Sequence, residues 1–133
     1  ELGVPILHHA LHFHYFPEDQ PRSSDGGDLA ELAGRYPEAK LICAHISGGG
    51  DWEWTVKALR HSPNVMLDIS GSVTDYGSVD MAAAVAGVER VVFGCDSSMT
   101  ACVGKIRGAN LSPQDKEKIL GGNMRRLLQG RKS

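Results

Sequence analysis

Lys40-Leu41-Ile42-Cys43-Ala44-His45-Ile46 is an apolar run that closes on a histidine and opens into Ser47-Gly48-Gly49-Gly50. It does not alternate with charges, which is the pattern of a strand covered on both faces, as in a parallel sheet. Three similar runs surround it: Val4 to Leu7 upstream, then Val65 to Ile69 and Arg90 to Cys95 downstream. Helical periodicity fills the gaps. In Asp28 to Tyr36, Leu29, Leu32, Ala33 and Tyr36 share one face, with Asp28 as the predicted N-cap. Trp52 to His61 and the alanine-rich Val79 to Val88 read as two more helices, the second closing near Gly87. A last helix starts at Ser112-Pro113-Gln114-Asp115; Gly121-Gly122 is predicted to break it, and Asn123 to cap a short turn over Met124 to Leu128.

Strand and helix thus alternate four times, which predicts an α/β fold in one domain spanning residues 1–133. A (β/α)8 TIM barrel uses about 250 residues for eight such units, so four units make a half barrel. An open doubly wound sheet shares the alternation and also fits the length. Periodicity alone does not separate the two.

Composition narrows the partners. With 41% hydrophobic and 23% charged residues and a formal net charge of -2, the chain lacks the basic face that nucleic acid or an anionic membrane favours. A small-molecule substrate is the expected partner. Cys43, Cys95 and Cys102 form no close metal-binding pair and leave one thiol over if two were bridged, which points to a reducing, cytoplasmic setting. No apolar stretch has the length of a membrane helix. The opening Glu1 to Leu7 has neither a basic leader nor a methionine, so a preceding segment is expected to have been removed or omitted.

In either parallel architecture, the loops at the C-terminal ends of the strands converge on one rim. The first strand ends in His8-His9, the second in His45 and the fourth in Asp96, so three potential ligands reach one edge. Residues two apart on a strand face the same way. If His9 points inward, His8 faces the helices; if His45 does, Cys43 and Leu41 join the interior; if Asp96 does, Gly94 and Val92 lie beneath it. Two imidazoles and a carboxylate suit zinc, manganese or iron(II), although an open site usually has at least three protein ligands in place. An isolated strand histidine, by contrast, is more often a hydrogen-bonded rim residue than a ligand. His12 and His14 follow the first strand and are candidates for substrate contact or for plain surface roles. Trp52 is a candidate rim residue or simple packing, and Asp51 a cap for the helix beside it. Asp68, within Val65 to Ile69, points at the interior or bonds to nearby backbone. Ser47-Gly48-Gly49-Gly50 has room for an anion at a helix start but lacks the dinucleotide and P-loop signatures.

Five ordered stretches carry a resemblance: Gly3 to His9; Arg35-Tyr36-Pro37 leading into Leu41 to Gly49; Pro63 to Gly71; Arg90 to Ser97; and Ile119 to Leu128. Over roughly residues 3 to 128 the sequence resembles the amidohydrolase-related family of metal-dependent TIM-barrel enzymes, which includes hydrolases and non-oxidative decarboxylases of aromatic acids. The resemblance implies that these are strands five to eight of a barrel, with one divalent metal, zinc foremost. It makes His9 the strand-five ligand, His45 a ligand or substrate-polarising group, and Asp96 a ligand and general base. The family's His-x-His pair on strand one is missing, and His12-Phe13-His14 follows the wrong strand to replace it. Cys95 stands where serine is common and is expected to face the helices; Ser97-Ser98 replaces the usual aromatic-proline ending. A half barrel exposes two strand edges, so an N-terminal half barrel or a second copy is the expected partner. A non-catalytic assembly or anion-binding module and a flavodoxin-like domain are the competing readings.

Overall fold

In a computed structural model, residues 3–10, 24–46, 52–71, 74–96 and 98–129 are described. His12, His14, Asp51 and the glycine-rich turn lie outside these residues. Four parallel strands, β1 (Ile6–His9), β2 (Leu41–Ala44), β3 (Val65–Asp68) and β4 (Val91–Val92), pair in the order β1-β2-β3-β4. The register sets Ile6 against Leu41, Leu41 against Val65, and Leu67 against Val91. This order decides between the two architectures. A doubly wound sheet reverses direction at a switch point, whereas a barrel adds each strand beside the last. The chain is four consecutive units of a barrel.

Among the described residues, six α-helices accompany the strands: α1 (Gly26–Arg35), α2 (Trp52–Ala58), α3 (Ser78–Ala86), α4 (Met99–Gly108), α5 (Pro113–Glu117) and α6 (Asn123–Gln129). One strand face carries Leu41, Cys43, Val65, Leu67 and Val91, buried against Leu29, Ala33, Val56, Leu59, Val79, Ala82, Ile106 and Ile119. Each large apolar side chain buried there contributes about 1.5–3 kcal/mol. The other face carries Ile42, Met66 and Val92, packed against Met124 and Leu127 of α6, so α6 floors the barrel interior. The edge strand departs from the expectation of full burial: Ile6 and Leu7 are 56% and 64% exposed, because β1 has a neighbour on one side only among the described residues.

Several local expectations change. Asp25, not Asp28, caps α1: its carboxylate accepts from Gly27 N at 2.7 Å and Asp28 N at 3.1 Å, and Asp28 returns a bond to Asp25 N. The helix therefore starts one turn earlier, with Asp28 as the second half of a capping box. The Gly121-Gly122 pair does not break the last helix, because residues 118–122 run as a π-turn straight from α5 into α6. Asn123 is consequently no surface cap but a fully buried tie, donating from Nδ2 to the carbonyls of Val88 and Val91 at 2.8 and 2.7 Å. Helix α4 has no counterpart in the sequence reading: only Cys102 and Ile106 are buried on it, too few to mark an apolar stripe.

Candidate functional site

Parallel partners in register point to the same side of a sheet, so the pairing of His9 with Ala44 and of Leu7 with Ile42 sends His9 into the interior. His8 faces the other way, and its Nε2 meets Ser24 Oγ at 2.7 Å. Asp96 reaches the interior cleft above Gly94 and Val92, as alternation predicts. His45 arrives by a different route. Leu41 and Cys43 belong to the helix-facing core and Ile42 to the interior, so strict alternation would turn His45 outward. Its φ of 61° breaks that alternation and swings the ring over the interior; it is the only non-glycine with positive φ among the described residues. The expectation that Leu41 and Cys43 share its face is corrected accordingly.

The three side chains meet at one rim. The rings of His9 and His45 are 4.7 Å apart in an edge contact, and His45 Nδ1 stands 4.0 Å from Asp96 Oδ2. The Asp96 side chain is 60% exposed and opens onto a cleft of about 310 Å³ that His45, Asp68, Ser70 and Gly94 also line. Two imidazole nitrogens and a carboxylate are donors that a divalent cation accepts. Among the described residues, no three His, Cys, Asp or Glu groups converge tightly enough to hold a metal alone. The rim therefore supplies part of a coordination sphere.

Two members of the site were underweighted or missed. Asp68 is 5% exposed and points into the interior beside His45. Its carboxylate accepts from Ser70 N at 3.1 Å and from Ser70 Oγ, and it lies close to the backbone N–H of His45. Burial raises its pKa, while the Ser70 bonds and the nearby His45 pull it back down. Its carbonyl also takes the N–H of Ile46 at 3.1 Å, so Asp68 grips the His45 turn from two sides. Ser70, not singled out in the sequence, touches His45 Nδ1 with Oγ at 3.0 Å. The period of two that places Met66 and Asp68 on one face extends to Ser70 and was the available signal.

Elsewhere, Trp52 donates its indole N–H to Asp75 at 3.0 Å. Cys95 is exposed and sits beside Cys102 of α4, and burial pushes the Cys43 thiol up to about 12. A second hollow of about 310 Å³ lies between residues 74–80 and α4, but the ammonium of Lys105 on its wall is bound to the carbonyls of Ile69 and Gly71. No helix among the described residues is long and apolar enough to cross a membrane.

Comparison with solved structures finds the same fold. The chain is similar to 5-carboxyvanillate decarboxylase from Sphingomonas paucimobilis, with a TM-score of 0.67, 18% identity, and coverage of 96% of this chain and 50% of that one. It is similar to an amidohydrolase from Burkholderia multivorans with bound zinc (TM-score 0.65, 20% identity, 92% and 52% covered). A dihydroxybenzoic acid decarboxylase from Polaromonas with bound manganese and 2-nitroresorcinol gives 0.61 at 18% identity, with 96% and 50% covered. The chain thus spans about half the length of these structures. No curated protein matches its sequence. The amidohydrolase family model matches residues 1–130, the same stretch that folds as consecutive barrel units, and on that ground the chain belongs to the amidohydrolase family.

Proposed function

We propose that the chain forms the C-terminal half of a metal-dependent hydrolase that cleaves a C–N, C–O or lactone bond in a small organic substrate. The observation that carries the reading is the meeting of His9, His45 and Asp96 at one rim of a barrel in the amidohydrolase family. These three residues would supply part of the coordination sphere of one divalent cation, zinc first, manganese or iron(II) next. Such an ion supplies Lewis acidity and brings the pKa of water towards neutrality. Asp96 takes the proton of the attacking water, its exposed carboxylate being open to the cleft. His45, where it does not serve as a ligand, would polarise the attacking water instead. His12, His14 and Trp52 are the proposed substrate contacts; Trp52 is the weakest of them, since its N–H is engaged by Asp75.

A second reading, non-oxidative decarboxylation of an aromatic acid, is favoured by the decarboxylases among the similar structures. Asp96 then delivers a proton to the ring carbon that loses its carboxyl group. In both readings the remaining donors come from a complementary N-terminal half barrel or, failing that, a second copy docked on the exposed β1 edge. The experiment combines elemental analysis with assays on lactones, amides and hydroxybenzoates, run with zinc or manganese. Bound metal and turnover that a chelator abolishes are expected. Absence of metal, with melting indifferent to chelator, leaves a non-catalytic module; a persistent monomer in light scattering removes self-association.

A further inference from the structure

Asp68, Ser70 and His45 form a chain in which the supply of protons is limited. Ser70 Oγ contacts both Asp68 Oδ2 and His45 Nδ1, yet a hydroxyl has one proton to give. Asp68 Oδ1 accepts the backbone N–H of Ser70, and the backbone N–H of His45 lies close to the carboxylate. Surrounded by donors, this carboxylate takes the Ser70 proton as well. Ser70 Oγ is then left with only lone pairs towards His45, so Nδ1 must carry a proton and the lone pair of the neutral ring falls on Nε2.

We propose that Asp68 and Ser70 are positioning residues that lock His45 in its Nδ1–H tautomer and present the Nε2 lone pair at the rim. Gly94 is the third part of the device. A Cβ at Gly94 would fall 2.0 Å from Asp68 Oδ1, so the interior is cut away at this point to admit the carboxylate. The left-handed backbone of His45 is the fourth, since the grip of Asp68 on the 45–46 turn is what holds the ring over Ser70. The use of that lone pair by a cation or a substrate rests on the function proposed above; the tautomer does not.

The test is long-range proton–nitrogen NMR on the full 15N-labelled chain, without added metal, at mildly alkaline pH where imidazole is neutral. The His45 ring is expected to show a pyrrole-type Nδ1 and a pyridine-type Nε2. The reverse pattern in the unmodified chain overturns the proposal without any variant. Ser70→Thr keeps the hydroxyl and should keep the pattern, whereas Ser70→Ala should lose it. Asp68→Asn should invert it, because the Ser70 N–H claims the amide oxygen and turns the amide nitrogen onto Ser70 Oγ. If Asp68→Asn does not fold, the Ser70 pair decides. An unchanged Nδ1–H signal in Ser70→Ala would show that something else fixes the ring and would sink the assignment. A locked tautomer in a chain that takes up no metal would defeat the proposed function alone.

Discussion

The two ends of the sheet use many of their polar side chains differently. At the N-terminal ends of the strands several are spent on backbone. Arg90 donates to the carbonyls of Val65, Leu59 and Arg60, Asn64 to those of Ala33 and Tyr36, and Asn123 to those of Val88 and Val91. At the C-terminal ends they meet one another: His9 against His45, His45 against Ser70 and Asp96, Ser70 against Asp68. Backbone ties fix a fold because the carbonyls they satisfy are the same in every conformer that keeps the strands. Groups that face each other around an open cleft keep proton and ligand chemistry available. The lower end holds the barrel units together, and the upper end is free to react.

Substitutions at the two ends should therefore separate activity from stability. The largest effect is expected from Asp96→Asn in the assembled, metal-loaded enzyme: turnover falling by about 10²–10⁴-fold, with a melting curve hardly moved because the side chain is largely exposed. Asn123→Ala should do the reverse. It takes the side-chain donor from the Val91 carbonyl at a fully buried site and leaves the Val88 carbonyl with the Val91 N–H alone, at a cost of about 1–3 kcal/mol in urea unfolding, the penalty for one orphaned group. Gly94→Ala tests the boundary between the two classes. Its Cβ must displace the Asp68 carboxylate, so it should lower stability by about 1–3 kcal/mol, as overpacking does, and disturb the rim as well. A Gly94→Ala chain with native melting and an intact His45 signal would break the distinction.

The smallest effects are electrostatic, and they too have opposite signs. Glu89, at the lower end, is held below its usual 4.5 by the Lys118 ammonium bonded to it and then by Arg126. A lowered carboxylate stabilises the fold above its unfolded pKa and loses that contribution as pH falls through the folded value. Asp68 is raised above 3.8 by burial. There the native state binds more protons, so stability falls as pH climbs from 3.8 to the folded pKa and stays reduced above it. Urea midpoints taken across the acid range should show Glu89→Gln removing the rising limb and Asp68→Asn the falling one. Added salt should weaken the first, since its partners are exposed.

Much of this was legible in the sequence where one residue's chemistry suffices. The uncharged runs marked parallel strands, and their polar endings marked the rim residues His9, His45 and Asp96. What stayed hidden depends on geometry that residue types do not encode. The strand order β1-β2-β3-β4, which rules out a doubly wound sheet, is a pairing fact. Helix α4 hid behind Gly104, Gly108 and a thin apolar face. Asn123 and Gly121-Gly122 looked like helix punctuation because asparagine and glycine do that on surfaces, whereas tertiary ties carry the π-turn through them. Ser70 escaped because a hydroxyl gains significance only from what lies on either side of it.

His45 occupies a left-handed backbone position that costs a residue with a Cβ roughly 1–2 kcal/mol. Glycine would sit there without that cost and would leave the turn more relaxed than it is. Selection for robustness alone would thus push this position away from histidine. Engineering that ranks substitutions by melting temperature would erase the imidazole first.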